Sequence, residues 1–521
     1  MPTGSAAHWR VGSRQRPASR VPAEAAIIPH TSGRLARLDR AAVLLFAALT
    51  AIYFVEAATL AAHAPFWMDE VLTLWTARLP DAAAIWSALC RGAEFTPPLY
   101  DWLIHVLSRA GITSALGLRL PSIVAIYVAA LATGAIARRH AGLAPAALAA
   151  GVVLASGLFG WAVQLRPYAL VTAAFACALA VYDRPGRASN RRLTAMTLLL
   201  TLAIGLHFYA LVLAAGLGAL EAARARDERR ALSWRTLAAI GLAGSSILLW
   251  LPILLAARAY SGSDVFAPDY YAKPEGIAIV RTYAILLGWL ILPLVGLLVV
   301  SIAVRRNVSS LRTTALVIAL LPIGVFIFAM FVSHSYSDRY ALAGGIGIGL
   351  LFAALAHQLG ARAAPASVLL LALLILGSAW RNGGEIAKTD RLDAIAVMKA
   401  APATLPIVTG SGLRFFELRH NVPGARLVFL DTPNIPPGDP TNRNQVLRWK
   451  AIDPMLSVEN ADAFVCSTPA FYLFAQPPDG GADTLPDWLA GRADFTPPPR
   501  GRASLTLVRA RPCHTPPVER R

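Results

Sequence analysis

FWMDEVLTLWTARLPDAAAIWSALCRGAEFTPPLY, residues 66–100, places an acidic pair, Asp69 and Glu70, a few residues past the end of a long apolar run. The stretch closes on Pro97 and Pro98, which lead into an aromatic, partly polar segment. Two adjacent carboxylates at the mouth of a membrane bundle are costly to hold there, because charge is penalised near hydrocarbon. The pair is therefore the expected reactive centre, and the rest of the chain its scaffold.

The chain has 521 residues, 56% of them hydrophobic and only 15% charged. Soluble domains carry about 25% charged residues, so the expected class is an α-helical, polytopic membrane protein. Residues 41–62 form an apolar run long enough to span a bilayer and too long for a signal peptide, which predicts an uncleaved anchor with its N-terminus inside. Glu56 sits within it, either as a buried functional carboxylate or as a group that reaches the interface. Further apolar runs fall at 118–137, 143–162, 168–182, 236–257, 283–304, 313–332, 340–359 and 365–380. The run 193–220 is interrupted around His207 and flanked by Arg-rich loops, so it reads as two short helices. About eleven spans result.

The net charge of +18 would suggest nucleic acid in a soluble protein. Its distribution says otherwise: the segments placed inside hold 22 Lys and Arg in 83 residues, against 8 in the outer loops before residue 381. That bias orients a membrane protein, and no nucleic-acid partner is expected. Residues 1–40, with seven Arg and no apolar periodicity, read as a disordered cytoplasmic tail. Residues 41–380 form the transmembrane domain, with 63–117 as its first outer loop.

Within that loop, 99–110 is too short to span. Asp101, His105 and Arg109 recur at i, i+4 and i+8, a polar stripe that predicts a helix lying in the interface plane. From 381 to 521 the composition becomes that of a small extracytoplasmic α/β domain. Strands are expected at 407–409, 426–431, 463–467 and 504–509, and helices near 391–400, 413–420 and 446–456. Cys466 and Cys513 both fall there, either bridged or as two thiols. Cys90 and Cys177 complete the set, and no metal-binding spacing is present.

This topology gathers four polar clusters on the outer face: Asp69 with Glu70, the segment 164–168, His207 with Tyr209, and the segment 334–340. The second and fourth each pair an Arg with a Tyr at the outer end of a span, Arg166 with Tyr168 and Arg339 with Tyr340. Such residues are ordinary interfacial anchors. Two such pairs on the side of an acidic pair instead suit a site that activates a hydroxyl and holds a phosphorylated leaving group. A divalent metal near Asp69 and Glu70 is compatible with this, although no complete ligand set is legible. A transporter or lipid flippase, which puts ionisable groups near the midplane, and a glycan polymerase or ligase of another family remain the alternatives.

WMDE (67–70), TPPLY (96–100), RLPS (119–122), LRPYAL (165–170) and DRYAL (338–342), in that order and topology, resemble the GT-C glycosyltransferases. The branch with bacterial lipid A aminoarabinose transferases and protein O-mannosyltransferases is the most similar. The resemblance runs from residue 41 to about 359. It implies transfer of a sugar from a polyprenyl-phosphate carrier to a lipid, glycan or protein acceptor at the outer face of the cytoplasmic (inner) membrane. By the same resemblance Asp69 is the base or acceptor-orienting carboxylate, with Glu70 beside it. Arg166, Tyr168, His207, Tyr209, Arg339 and Tyr340 surround the donor phosphate. His207 stands where relatives can show Lys, and Thr96 where they often have His or Lys, which weakens the phosphate contacts expected there.

Overall fold

A computed structural model describes residues 30–186, 188–262, 265, 270, 272–304, 310–385, 390–402, 404–432, 440–475, 485–498 and 502–512. The helices are α1 (His30–His63), α2 (Met68–Ala77), α3 (Ala82–Cys90), α4 (Leu99–Arg109), α5 (Ala115–Ala141), α6 (Leu143–Ala155), α7 (Leu158–Ala162) and α8 (Tyr168–Tyr182). They continue as α9 (Asn190–Leu206), α10 (Ala210–Asp227), α11 (Trp234–Ser245), α12 (Leu251–Ser261), α13 (Gly276–Leu287), α14 (Ile291–Val304), α15 (Ser310–Ala319) and α16 (Leu321–Phe328). Then come α17 (Gly344–Gln358), α18 (Ala363–Glu385), α19 (Asp390–Lys399), α20 (Gly412–Asn421), α21 (Pro440–Ile452), α22 (Ala461–Ser467) and α23 (Leu485–Leu489).

Among the described residues, six helical stretches are long and apolar enough to cross a membrane: Leu35–His63, Ala115–Ala141, Trp234–Tyr260, Gly276–Ile302, Ser310–Ser333 and Gly360–Ser378. The chain is a multi-pass membrane protein. The shorter apolar helices α6, α8 and α17 are buried nearly all round, as expected of elements surrounded by other helices. Small residues let them approach closely, the usual basis of helix association in lipid. A Cβ on Gly347 of α17 would meet the backbone of Ala319, and one on Gly349 would meet the carbonyl of Ala149.

One expectation changes in the bundle. The first helix starts at His30, well before residue 41. Leu38 packs on the core, and the Asp39 carboxylate accepts the Ala144 N–H at 3.1 Å, capping α6, so this part of the supposed tail is ordered; residues 1–29 lie outside the described set. The chain does break at His207, which ends α9 in extended geometry before α10 resumes at Ala210. At the basic end, buried Asp183 accepts from His140 (3.0 Å), Arg139 (3.4 Å) and Arg224, tying α5, α8 and α10 together.

The C-terminal domain is a sheet with strands β1 (Ile407–Thr409), β2 (Leu427–Asp431), β3 (Val458–Asn460), β4 (Ala470–Ala475), β5 (Ala493–Asp494) and β6 (Ser504–Ala510). Their order is β3-β2-β1-β4-β6-β5. β1, β2, β3 and β4 run parallel, in registers such as Val408 opposite Val428, while β6 is antiparallel to β4 and β5. Both faces of the parallel part are covered, as such sheets require: α20 supplies Phe415 and Phe416 to one core, and α22 and α23 supply Val465, Trp488 and Leu489 to another.

Residues 463–467, expected as a strand, belong instead to α22, because the Asn460 side chain accepts the Ala463 N–H at 3.1 Å and caps a helix. The strand follows as β4. Cys466 is disulfide-bonded, Cys513 lies outside the described residues, and Cys90 and Cys177 are free.

Candidate functional site

Asp69 and Glu70 open α2, where an unsatisfied helix N-terminus favours negative charge. Consecutive residues on a helix point about 100° apart, and the two carboxylates go separate ways. Glu70 is buried, and each of its oxygens is occupied. Oε1 accepts from Arg119 Nε (2.8 Å) and the Leu165 N–H (2.6 Å); Oε2 accepts from Arg119 Nη2 (2.7 Å) and the Trp67 N–H (3.2 Å).

Arg119, equally buried, spends its other donors on the carbonyls of Ala61 and Ala64 (2.8 Å each) and Pro65 (3.4 Å), and lies over the Phe66 ring. One guanidinium thus joins the end of α1, the start of α2 and the start of α5. Through Leu165, Glu70 also fixes the segment that carries Arg166. RLPS was legible as a motif, but nothing in the sequence marks Arg119 as the partner of Glu70.

Asp69 faces the other way, is partly exposed, and pairs with Arg339 Nη1. Arg339 lies on the one-turn helix Asp338–Ala341, which the chain enters through His334, held in the left-handed region at φ 54°. The guanidinium sits near the rings of Tyr340 (5.6 Å), Tyr168 (5.7 Å) and Trp67 (6.0 Å). Arg166 donates through Nη1 to the Asp69 carbonyl (2.8 Å), Thr73 Oγ1 (2.6 Å) and Glu94 Oε2 (3.0 Å).

The four clusters read from sequence therefore meet. Tyr168, His207, Tyr209 and Tyr340 form an aromatic group: Tyr209 stacks on Tyr340 at 4.2 Å, and the His207 ring lies 5.2 Å from Tyr168 and 5.1 Å from Tyr340. With Arg339 they line a narrow cleft, with space for little more than a water as it stands, whose lining is completed by Val171, Thr172, Ala210, Leu213, Leu342 and Ala343. His207 sits at the break between its two helices. Burial, helped by the charges of Arg166 and Arg339, holds its imidazole down at about 3, so it is neutral at physiological pH.

Glu94 and Asp101 were not picked out as site residues. The stripe on α4 turns inward at its first two members and not at its third: Asp101 is buried and His105 Nδ1 bonds the Ala77 carbonyl at 2.8 Å, while Arg109 is exposed. Neither Asp101 oxygen has a hydrogen-bond partner among the described residues. Burial, reinforced by Glu94, holds its carboxyl well above the ordinary range against the pull of Arg166. Burial pushes the Glu94 carboxyl up as well, but Glu94 has the Arg166 guanidinium at 3.0 Å and Asp101 has no such partner among the described residues.

The sign follows. Between about 3.9, the unfolded value, and the raised native value, unfolding releases a proton, so stability falls as pH rises by up to about 1.4 kcal/mol per pH unit. Asp101→Asn should flatten that fall in a series of Tm values against pH in detergent; an unchanged slope would contradict a raised Asp101. Among the described residues no three His, Cys, Asp or Glu side chains converge as a metal set.

No protein-family profile matches the chain, and no curated protein does. Among solved structures, ArnT from Cupriavidus metallidurans in the apo state superposes with a TM-score of 0.60 at 14% identity, covering 89% of this chain and 97% of that one. The same protein bound to undecaprenyl phosphate gives 0.58 at 14% identity with the same coverage. An oligosaccharyltransferase from Archaeoglobus fulgidus, in complex with Zn and sulfate, gives 0.45 at 11% identity over 82% of this chain and 68% of that one. The ArnT superpositions show the fold: like that protein, the chain is a helical membrane bundle with a small C-terminal sheet domain.

Proposed function

We propose that the protein is a membrane glycosyltransferase that moves a sugar from a polyprenyl-phosphate carrier to an acceptor hydroxyl or similar group on the extracytoplasmic face of the cytoplasmic membrane. On this reading residues 41–380 are the transferase bundle, with its N-terminus inside, and residues 381–521 an extracytoplasmic domain. The observation that carries it is the convergence on Arg339: its guanidinium, beside His207, Tyr209 and Tyr340, suits a lipid phosphate, Val171, Leu213, Leu342 and Ala343 add apolar lining, and the Asp69 carboxylate sits on the same guanidinium. The undecaprenyl phosphate named with the ArnT structure fits this donor class.

Arg339 and Arg166 would neutralise the phosphate, and Tyr168, Tyr209 and Tyr340 would orient it; neutral His207 adds a hydrogen bond but no charge. Arrival of the phosphate would compete with Asp69 for Arg339 and free the carboxylate. Asp69 then takes the acceptor's proton while the acceptor oxygen attacks the anomeric carbon. The bond from that carbon to the phosphate oxygen breaks, and polyprenyl phosphate leaves with its charge held by the guanidinium. Glu70, with both oxygens engaged, positions Asp69 and Arg166 rather than reacting.

Arg339→Ala tests the donor side. Loss of a charged hydrogen bond worth about 1.5–3 kcal/mol predicts a tenfold or greater loss of affinity for a polyprenyl phosphate, measured by titration calorimetry in nanodiscs. Unchanged affinity would overturn the assignment of the phosphate to this rim.

A further inference from the structure

Helix α21 of the C-terminal domain lies against the outer loop of the bundle, at the turn that carries Glu94. Its residues Gln445, Arg448 and Trp449, at i, i+3 and i+4, share one helical face. Gln445 Nε2 donates to the carbonyls of Ala93 (2.5 Å) and Gly92 (3.3 Å), and Trp449 Nε1 donates to the Ala93 carbonyl at 3.3 Å. Arg448 braces the Gln445 amide at 3.2 Å and lies 5.1 Å from the centre of the Phe95 ring.

Every residue from Gly92 to Phe95 is thus gripped by α21 except Glu94, which turns the other way and holds Arg166. The turn has no slack of its own: Gly92 is at φ +81°, and a Cβ there would meet the Tyr260 ring at 2.7 Å. Trp449 also packs edge-on against Trp75 of α2, which has Phe416 of α20 on a second side, each at 5.4 Å. The Asn421 side chain donates to the Phe66 carbonyl at 3.0 Å, just ahead of Asp69.

We propose that Gln445 and Trp449 are positioning residues for the transfer reaction: through the Ala93 carbonyl they hold Glu94 on Arg166, and through Trp75 they register that turn against the helix that carries Asp69. This rests on the transferase reading above. Gln445 is buried at the boundary between the two domains, and a buried amide that spends its donors on two carbonyls of one turn fixes that turn more tightly than apolar packing would. The C-terminal domain is then part of the catalytic frame, and severing its grip should slow the chemical step without removing the donor's binding rim.

The test uses full-length protein in nanodiscs and two variants, Gln445→Leu, which keeps most of the volume and removes the donors, and Trp449→Phe, which keeps a ring and removes the indole N–H. Steady-state transfer from a polyprenyl-phosphate sugar is measured together with hydrogen exchange at the amides of residues 93–96 and with affinity for polyprenyl phosphate. The expected result for Gln445→Leu is a kcat at least tenfold lower, faster exchange confined to residues 93–96, and a loss of donor affinity well short of the tenfold expected for Arg339→Ala. Trp449→Phe should change the same quantities in the same direction. Unchanged exchange at 93–96 would overturn the proposal, as would faster exchange with an unchanged kcat, or a loss of kcat that merely follows a general fall in Tm. If wild-type protein transfers from no lipid-linked sugar, the transferase reading fails, and the clamp on the turn stands or falls on the exchange rates alone.

Discussion

Asp69→Asn should lower transfer by about 10²–10⁴-fold, the usual worth of a positioned acid or base, and leave the protein folded. The carboxylate is partly exposed and pairs with Arg339, so replacing it with the isosteric amide removes little packing, and the amide oxygen can still accept from the guanidinium. Donor binding should be retained or strengthened, since Arg339 would no longer be shared with a second anion. The decisive comparison is a transfer assay on wild type and variant at matched Tm and matched polyprenyl phosphate affinity. An Asp69→Asn protein with wild-type turnover would remove Asp69 from the chemistry.

The neighbouring position should behave in the opposite way. Arg119→Met leaves the Glu70 carboxylate buried without its cation, a defect that costs about 3–5 kcal/mol, a large share of the roughly 5–15 kcal/mol that holds a protein folded. It also strips donors from the Ala61, Ala64 and Pro65 carbonyls at the end of α1. Loss of monodisperse protein on size exclusion, or a fall in Tm of many degrees, is the expected result. Adding Glu70→Gln should restore part of the stability, because the buried charge is gone, but not the activity, because the register of α2 against Arg166 depends on both partners. A single Arg119→Met protein with wild-type Tm would show that this ion pair holds nothing.

These two contrasting outcomes mark where the sequence could be read and where it could not. The bundle was legible because apolar runs report directly on bilayer thickness, and the order of WMDE, TPPLY, RLPS, LRPYAL and DRYAL carried the fold. The meeting of Asp69, Arg166, His207 and Arg339 followed from topology, since each lies at the same end of its span. Which of Asp69 and Glu70 takes Arg339 and which takes Arg119 did not follow, because adjacency in sequence says nothing about the direction each takes from the helix.

Arg119 and Glu94 went unassigned because their partners are 49 and 72 residues away. Asp101 was assigned to the interface because a polar stripe on a short helix looks the same whether it faces water or a buried guanidinium. In the soluble domain, 463–467 was misread because five residues with an apolar centre fit a strand or a capped helix equally well, and only the Asn460 cap decides. The start of α1 was placed late because the Arg residues near its N-terminus resemble those of an unstructured tail.

The central claim is that a lipid phosphate sits where Arg339 now holds Asp69. The direct measurement is a cryo-electron microscopy map of the protein in nanodiscs with a polyprenyl-phosphate analogue. The account predicts phosphate density against Arg339, bounded by His207, Tyr209 and Tyr340, with the lipid chain along Val171 and Leu213 and the Asp69 carboxylate released toward an open path for the acceptor. Lipid bound elsewhere on the bundle, or a continuous polar channel past Glu56 and His207, would contradict it and point to transport.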